Sequence, residues 1–290
     1  MADGGLSRDL FLIFAALVEE EAGLHYADAE RNAFGDRILA RAQDAGFESL
    51  LDYYYFLRYD PASSAERTAL IESLLVHETY FFREERALRA VVDGALRPAI
   101  ERGVRPRVWC AAASTGEEPL SLAMLLDEGG LLDHCTIVAS DVSDRALEAA
   151  QRGVYSGRSF RPVAGGTAQA ARERWFRRED DGFRIEPRLL EAVRFRRVNL
   201  VSDGEVSAVG RFDVILCRNV LIYFREETIV SVVGRLVAAL APCGVLVVGA
   251  SESLLRFGTL LHCEELRGAF VYRNGGEAES SALGEPGGVP

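Results

Sequence analysis

Residues 107–124 read RVWCAAASTGEEPLSLAM, and this stretch decides the fold. Val108–Ala112 is an apolar run of strand length, Ala113–Gly116 a turn of small residues, and Glu117-Glu118-Pro119 opens a helix. Pro119 suits the first helical turn, where the N–H it lacks has no intrahelical partner in any case. A strand that breaks abruptly into a helix, inside an alternating α/β pattern, is where open sheets place nucleotide-like ligands. The turn holds one glycine and lacks the spaced glycines whose bare amides let a pyrophosphate approach. Two carboxylates at the helix start also repel phosphate. They suit a ligand with hydroxyls and positive charge, and S-adenosylmethionine carries an ammonium, a sulfonium and a ribose diol.

The alternation continues on the C-terminal side. Strand 107–112 and helix 117–127 are followed by strand 136–140, helix 144–151, strand 212–217, helix 226–240 and strand 245–249. Two closing strands near 261–266 and 269–273 meet at the tight Arg267-Gly268 turn and predict an antiparallel edge hairpin. Strands alternating with helices predict a mostly parallel sheet covered on both faces, an α/β fold. Between 153 and 200 the alternation lapses. There Trp175–Arg178 and Gly182–Ile185, joined by Glu179-Asp180-Asp181, predict a small antiparallel β-insert over roughly 172–197. The α/β domain is thus read as 86–273, and 274–290 (NGGEAESSALGEPGGVP) as a disordered tail.

Residues 1–76 predict a helical N-terminal domain. Leu10, Phe14, Leu17 and Val18 share one helix face, and a second helix near Asp28–Ala45 is closed by Gly46. A third carries Leu50, Leu51, Tyr54 and Leu57 and stops before Pro61. Ser63-x-x-Glu66 reads as a capping box for a fourth, with Leu70, Ile71, Leu74 and Leu75 inward. The next stretch, HETYFFR at His77–Arg83, breaks the helical period. It predicts a structured inter-domain linker over 77–85 that packs two aromatics into a core, ahead of a helix from about Glu84 to Glu101.

A chain of 290 residues with 49% hydrophobic and 27% charged residues makes one large or two modest soluble domains. The net charge of −11 disfavours non-specific nucleic-acid binding. All 33 basic residues are arginine. Residues 1–76 hold six arginines against fourteen acids, so most of the acidity sits there. The five cysteines lack C-x-x-C spacing, and three lie in apolar runs, which predicts buried free thiols in a reducing compartment. Four isolated histidines give no metal-ligand pattern. Leu10–Val18 is too short to span a membrane, so the expectation is a cytoplasmic protein without membrane insertion.

Asp141 ends the second strand, 25 residues after Gly116, near the offset at which an acid meets a ribose diol. Its other available role is to cap the next helix, for which Ser143 or Asp144 also serve. Asn219 follows the strand Phe212–Cys217, whose carboxyl end borders the same cleft, and Tyr223 lies four residues on. These two either contact the ligand and reaction centre or shape a turn and pack.

Taken together, His77–Arg83, Trp109–Met124, Ala139–Asp141 and Cys217–Phe224 resemble the CheR-type chemotaxis receptor methyltransferases, over about Leu6–Tyr272. The resemblance implies a Rossmann-like S-adenosylmethionine-dependent domain, a helical N-terminal domain and an inserted β-subdomain. It also implies methylation of glutamate side chains on the cytoplasmic helices of chemoreceptors. By position it puts Thr79 and Arg83 on a cofactor-binding linker, Glu118 on the helix-start carboxylate and Asp141 on the ribose acid. It puts Asn199-Leu200 on the adenine side, Asn219-Val220 on the post-strand contact, and Arg83 with Tyr223 beside the transferring methyl group.

The sequence departs from the family pattern in places. His77 stands where the family usually has asparagine, and either donates to the cofactor or simply packs. Ala250 stands where histidine is frequent. Glu179-Asp180-Asp181 is shorter and more acidic than the glycine-rich turn of receptor-tethered members, which implies an enzyme that works without a C-terminal tether; a monomer is expected. Arg31, Arg37 and Arg41 either form a stripe for an acidic receptor helix or belong to a solvated face. Two other readings are a binding module without turnover, and an enzyme acting on nucleic acid or a small molecule. Against exocyclic amines stands the apolar Val220-Leu221-Ile222, where amino-methylating enzymes often have prolines.

Overall fold

The computed structural model describes residues 6–162, 166–259 and 261–275. Four helices, α1 (Arg8–Ala22), α2 (Arg31–Asp44), α3 (Leu50–Tyr59) and α4 (Ser64–Leu74), build the N-terminal domain around Phe14, Ile38, Tyr53, Leu57 and Leu74. Gly46 closes α2 as its spacing predicts: at φ 84° it donates to the Gln43 carbonyl while Phe47 N–H reaches that of Ala42.

The capping box is not formed. Ser63 Oγ donates to the Asp60 carbonyl (2.6 Å) and the Leu57 carbonyl (3.1 Å) and accepts the Arg67 guanidinium (2.9 Å), but takes no backbone N–H of α4. Glu66 instead takes a bidentate pair from Arg41 (2.7 and 2.7 Å) and the Tyr53 hydroxyl (2.7 Å). A 3-10 turn, Pro61–Ser63, opened by the Asp60 side chain, supplies the start signal. That leaves Glu66 free to bind α2 to α3.

The second domain opens with α5 (Glu85–Val91), which runs through a π-turn (Val92–Leu96) into α6 (Arg97–Glu101). There follow β1 (Arg107–Ala111), α7 (Glu117–Glu128), β2 (Thr136–Asp141), α8 (Asp144–Arg152) and β3 (Val154–Tyr155). Next come α9 (Thr167–Trp175), β4 (Phe176–Glu179), β5 (Gly182–Ile185), α10 (Pro187–Glu191), β6 (Val193–Arg197) and α11 (Asp203–Ser207). The chain closes with β7 (Phe212–Cys217), α12 (Glu226–Ala238), β8 (Leu240–Val248), β9 (Leu261–Leu266) and β10 (Ala269–Asn274).

Seven strands form one sheet in the order β6-β2-β1-β7-β8-β10-β9, parallel except for the β10 and β9 pairings. The chain reverses its direction of travel between β1 and β7, the switch point at which such sheets bind ligands. Strand β1 is buried on both faces: Val108 and Cys110 enter one core with α7, Trp109 and Ala111 the other with α12. This is why it reads as a continuous apolar run.

The β-insert differs in extent from its sequence reading. Its sheet is β3-β5-β4, with a two-residue turn between Glu179 and Gly182, so it begins at Val154 and ends at Ile185. Residues 193–197 are the edge strand of the main sheet, paired with β2. Val193-Arg-Phe-Arg-Arg exposes charged side chains on that edge, so it carries no apolar run to announce it. Likewise β8 begins at Leu240, five residues early, because a register shift opposite Phe212 and Val214 absorbs Ala241–Gly244 within one strand. Asn274 closes β10; the rest of the tail reading, 276–290, lies outside the described residues.

Cys110, Cys135 and Cys217 are buried free thiols, and burial pushes Cys135 up to about 12. Cys243 and Cys263 are exposed.

Candidate active site

The carboxyl ends of β1, β2, β6 and β7 open onto a cavity of about 470 Å³. The helical domain covers it, contributing Leu24, Tyr26, Phe34, Arg37 and Leu74 to the lining. Three strand-end loops are pinned to that domain. Glu72 accepts the Ser143 hydroxyl (2.6 Å) after β2, the Glu21 carbonyl accepts the Asn199 amide (2.7 Å) after β6, and His25 N–H donates to the Tyr223 carbonyl (2.8 Å) after β7. Gly23 permits the close approach, since a Cβ there would lie 2.7 Å from Val201.

The turn after β1 is strained. Ala112 and Ser114 hold positive φ (58° and 49°), and Gly116 at φ 92° packs against Ala150 and Tyr155 with no room for a Cβ. This conformation points Ser114 N–H at Asp141 Oδ2 (2.7 Å). The other oxygen, Oδ1, accepts Ser143 N–H (3.0 Å), while the cap of α8 is Ser143. Burial holds the Asp141 carboxyl above the usual range, against these two amides and the nearby His77.

The two helix-start glutamates diverge. Glu117 turns away to the hydroxyls of Thr115 (2.6 Å) and Ser159 (2.9 Å), whereas Glu118 lines the cavity. Glu118 pairs with Arg218 Nη1 (2.7 Å), and burial still raises its pKa. Arg218 Nη2 reaches Glu84 (3.0 Å) and the Arg83 carbonyl (2.8 Å), and its Nε has no partner among the described residues. Burial alone lifts the Glu84 carboxyl, but Arg218, Asn219 and Ala250 N–H outweigh it and hold it low.

The linker does both things its sequence allows. Phe81 enters an aromatic cluster with Tyr155 (4.8 Å), Phe160 (5.0 Å) and Phe176 (5.1 Å), and Phe82 is buried beside it. His77, Thr79 and Arg83 line the cavity. His77 Nδ1 lies 3.4 Å from Ser114 Oγ, and Arg83 Nη1 donates to the Glu78 carbonyl (3.0 Å).

Asn219 sits at φ 59° after β7, and Glu252 holds its turn by accepting the N–H groups of Asn219 (2.8 Å), Gly249 (2.7 Å) and Ile222 (3.2 Å). Val220 and Tyr223 line the cavity beyond it. Burial raises the Tyr223 phenol above its ordinary pKa, opposed by the Arg83 charge.

Every residue named in the sequence as a candidate cofactor or methyl-transfer contact therefore borders one cavity, Asn199 and Leu200 included. Asn199 differs in what it offers. Its side chain is spent on the Glu21 carbonyl and on Val201 N–H (3.2 Å), so its polar groups serve the domain contact. Two arginines of the stripe have intramolecular partners, Arg41 on Glu66 and Arg37 on the Leu74 carbonyl (3.0 Å), while Arg31 lies only near Asp28 (3.9 Å). Sequence reasoning passed over Arg218, Glu84 and Glu252. A charge at the end of an otherwise apolar strand was the available signal, because a buried guanidinium requires buried acids.

The donor set fits S-adenosylmethionine. Glu118 and Asp141 suit an ammonium and a ribose diol, and the unpartnered Arg218 Nε–H and free Arg83 donors suit a carboxylate. No cluster among the described residues has metal-binding character. Fold and site together define a methyltransferase of the S-adenosylmethionine-dependent class.

Residues 77–269 match the family model of the CheR methyltransferase SAM binding domain, and residues 9–75 that of the CheR methyltransferase all-alpha domain. The chain is similar to chemotaxis protein methyltransferase 2 of Vibrio cholerae serotype O1, at 32% identity over 268 residues covering 90% of this chain and 91% of that protein. It is similar to the chemotaxis protein methyltransferase of Escherichia coli K12, at 34% identity over 275 residues covering 92% and 91%. The chain belongs to the CheR methyltransferase family.

Proposed function

We propose that this enzyme methylates glutamate side chains of a chemoreceptor, and that the acceptor carboxylate enters between Arg83 and Tyr223. Family membership and the chemotaxis methyltransferases it resembles support the reaction. The observation that supports the site assignment is that Arg83, from the linker, and Tyr223, from the loop after β7, line the same cavity as Glu118 and Asp141.

A glutamate carboxylate, with a reference pKa near 4.3, is already an anion at neutral pH, so the reaction requires no general base. Bound S-adenosylmethionine supplies an electrophilic methyl group. The protein's task is alignment, which is worth on the order of 7–11 kcal/mol of a barrier. Arg83 is tethered through Nη1 and keeps other donors of its planar fork for the substrate carboxylate. One guanidinium orients that carboxylate and leaves an oxygen lone pair for attack. Tyr223, with its pKa raised, stays a phenol and donates a hydrogen bond. The helical domain's Leu24, Phe34 and Leu74 exclude water from the covered end of the cavity.

The enzyme acts in the cytoplasm, as a monomer, on receptor helices reached without a C-terminal tether. The two-residue Asp180-Asp181 turn supports the tether-independent part of this reading; separately, no described helix is long and apolar enough to cross a membrane. The test is transfer of labelled methyl from S-adenosylmethionine to a receptor's cytoplasmic helical fragment. A glutamyl ester releases the label as methanol in mild base; label that survives base treatment contradicts the reading.

A further inference from the structure

The helical domain reaches into the cofactor half of the site through a single carboxylate. Glu72, on the last turn of α4, accepts the Ser143 hydroxyl at 2.6 Å and Arg145 N–H at 3.3 Å, so it joins the cap of a helix in the other domain. Ser143 is fully buried; its Oγ also accepts Ala146 N–H (2.9 Å), and its own N–H donates to Asp141 Oδ1 (3.0 Å). Glu72, Ser143 and Asp141 therefore form one hydrogen-bonded chain from the helical domain to the floor of the cavity. Glu72 does not line that cavity; it lines a neighbouring polar space of about 190 Å³ that shares Val142 and Asn199 with it.

We propose that Glu72 is a positioning residue for cofactor binding, setting both the place and the charge of Asp141 across the domain boundary. The proposal rests on the reading of Asp141 as the ribose-binding acid. Positioning follows from the chain of hydrogen bonds: without Glu72, Ser143 Oγ is held by Ala146 N–H alone, and the loop whose Ser143 amide holds Asp141 loses its ties to α4 at Ser143 and Arg145. Charge follows from proximity. Burial raises the Asp141 carboxyl most, the Ser143 and Ser114 amides and His77 from the linker lower it, and Glu72 from α4 raises it a little further. Arg197, the register partner of Asp141 on β6, directs its guanidinium to Glu205 (3.3 Å) and Asp144 (3.8 Å). With Glu72 in place, Asp141 gains its proton at a higher pH than it otherwise does.

The experiment measures binding of S-adenosylmethionine to the full-length chain by calorimetry across pH 5–9, for wild type, Glu72→Gln, Asp141→Asn and the double variant, with melting temperatures recorded alongside. The polar space around Glu72 accommodates glutamine, which keeps one acceptor. Expected for Glu72→Gln are a Kd raised several-fold at pH 8 and an acid limb of binding displaced to lower pH, with no such displacement in the Asp141→Asn background. A purely structural Glu72 lowers the melting temperature and leaves the acid limb where it is; an unmoved limb or an unchanged Kd overturns the proposal. Wild-type binding by Asp141→Asn overturns the ribose reading itself, a separate outcome.

Discussion

Arg218 and Glu118 form an ion pair with an N···O distance of 2.7 Å, and the guanidinium side chain is 1% exposed. Its second arm reaches Glu84 at 3.0 Å, so one buried charge ties the helix after β1, the end of β7 and the linker together. Removing one partner of such a group strands the others. Arg218→Met is expected to destabilise the protein by about 3–5 kcal/mol. That corresponds to a melting temperature lower by roughly 6–20 °C for a chain of this size. Thermal unfolding followed by circular dichroism measures it; a loss below about 1 kcal/mol contradicts the network's role.

Binding of the cationic cofactor is expected to weaken on acidification from a higher pH than ordinary carboxylates dictate. Burial raises both Glu118 and Asp141, so each loses its charge early as pH falls. For the free protein the sign reverses. A carboxyl raised in the fold binds its proton more tightly there than in the unfolded chain. Stability from these two groups therefore falls as pH rises from the ordinary range through their raised values. Glu84 and Glu66, held low, contribute stability at neutral pH that is lost as pH falls below the ordinary range. Glu118→Gln should flatten the acid limb of cofactor binding; an unchanged limb removes Glu118 from it.

Phe81→Ala should cost about 3–5 kcal/mol, the range for truncating a packed aromatic. Phe81 is fully buried against three other rings, and its N–H donates to the Ser159 carbonyl (2.9 Å). Because Thr79 and Arg83 flank it, the KM for the cofactor should rise as well. A melting shift with unaltered kinetics contradicts the view that this core anchors the cavity-facing linker residues.

Glu252→Ala leaves three backbone N–H groups without their acceptor, at about 1–3 kcal/mol for each one that water cannot reach. The turn carrying Asn219 and Tyr223 should relax, so kcat should fall at least tenfold while cofactor affinity changes less. Steady-state kinetics beside calorimetry separate the two; an affinity loss equal to the kcat loss contradicts the assignment.

The parallel sheet and its switch point were legible because Val108–Cys110 and Val214–Leu216 are buried on both faces and leave unbroken apolar runs. Strand β6 was not, since its exposed arginines hide the alternation. Ser63 and Glu66 carried a helix-start pattern that long-range contacts with Arg41 and Tyr53 overrode. The cavity-facing residues of the linker could be named from the family resemblance. The partners that brace them could not, because Arg218, Glu84 and Glu252 lie up to 168 positions apart in the chain and meet only through the fold. The helical domain's share of the cavity was hidden for the same reason: Tyr26 lies in the connection between α1 and α2, and Arg37 on a helix whose mixed charges look merely solvated.

The central claim is that Arg83 and Tyr223 act on the acceptor carboxylate rather than on cofactor binding alone. Single-turnover methyl transfer to a receptor fragment at saturating S-adenosylmethionine tests it most directly, with the cofactor Kd measured on the same proteins. One lost charge-assisted hydrogen bond is worth about 1.5–3 kcal/mol, or roughly 10- to 150-fold in rate. Arg83→Ala should show a rate loss of that order, and Tyr223→Phe a loss of about tenfold with its Kd unchanged. Wild-type transfer rates in both variants, at saturating cofactor, would contradict the account.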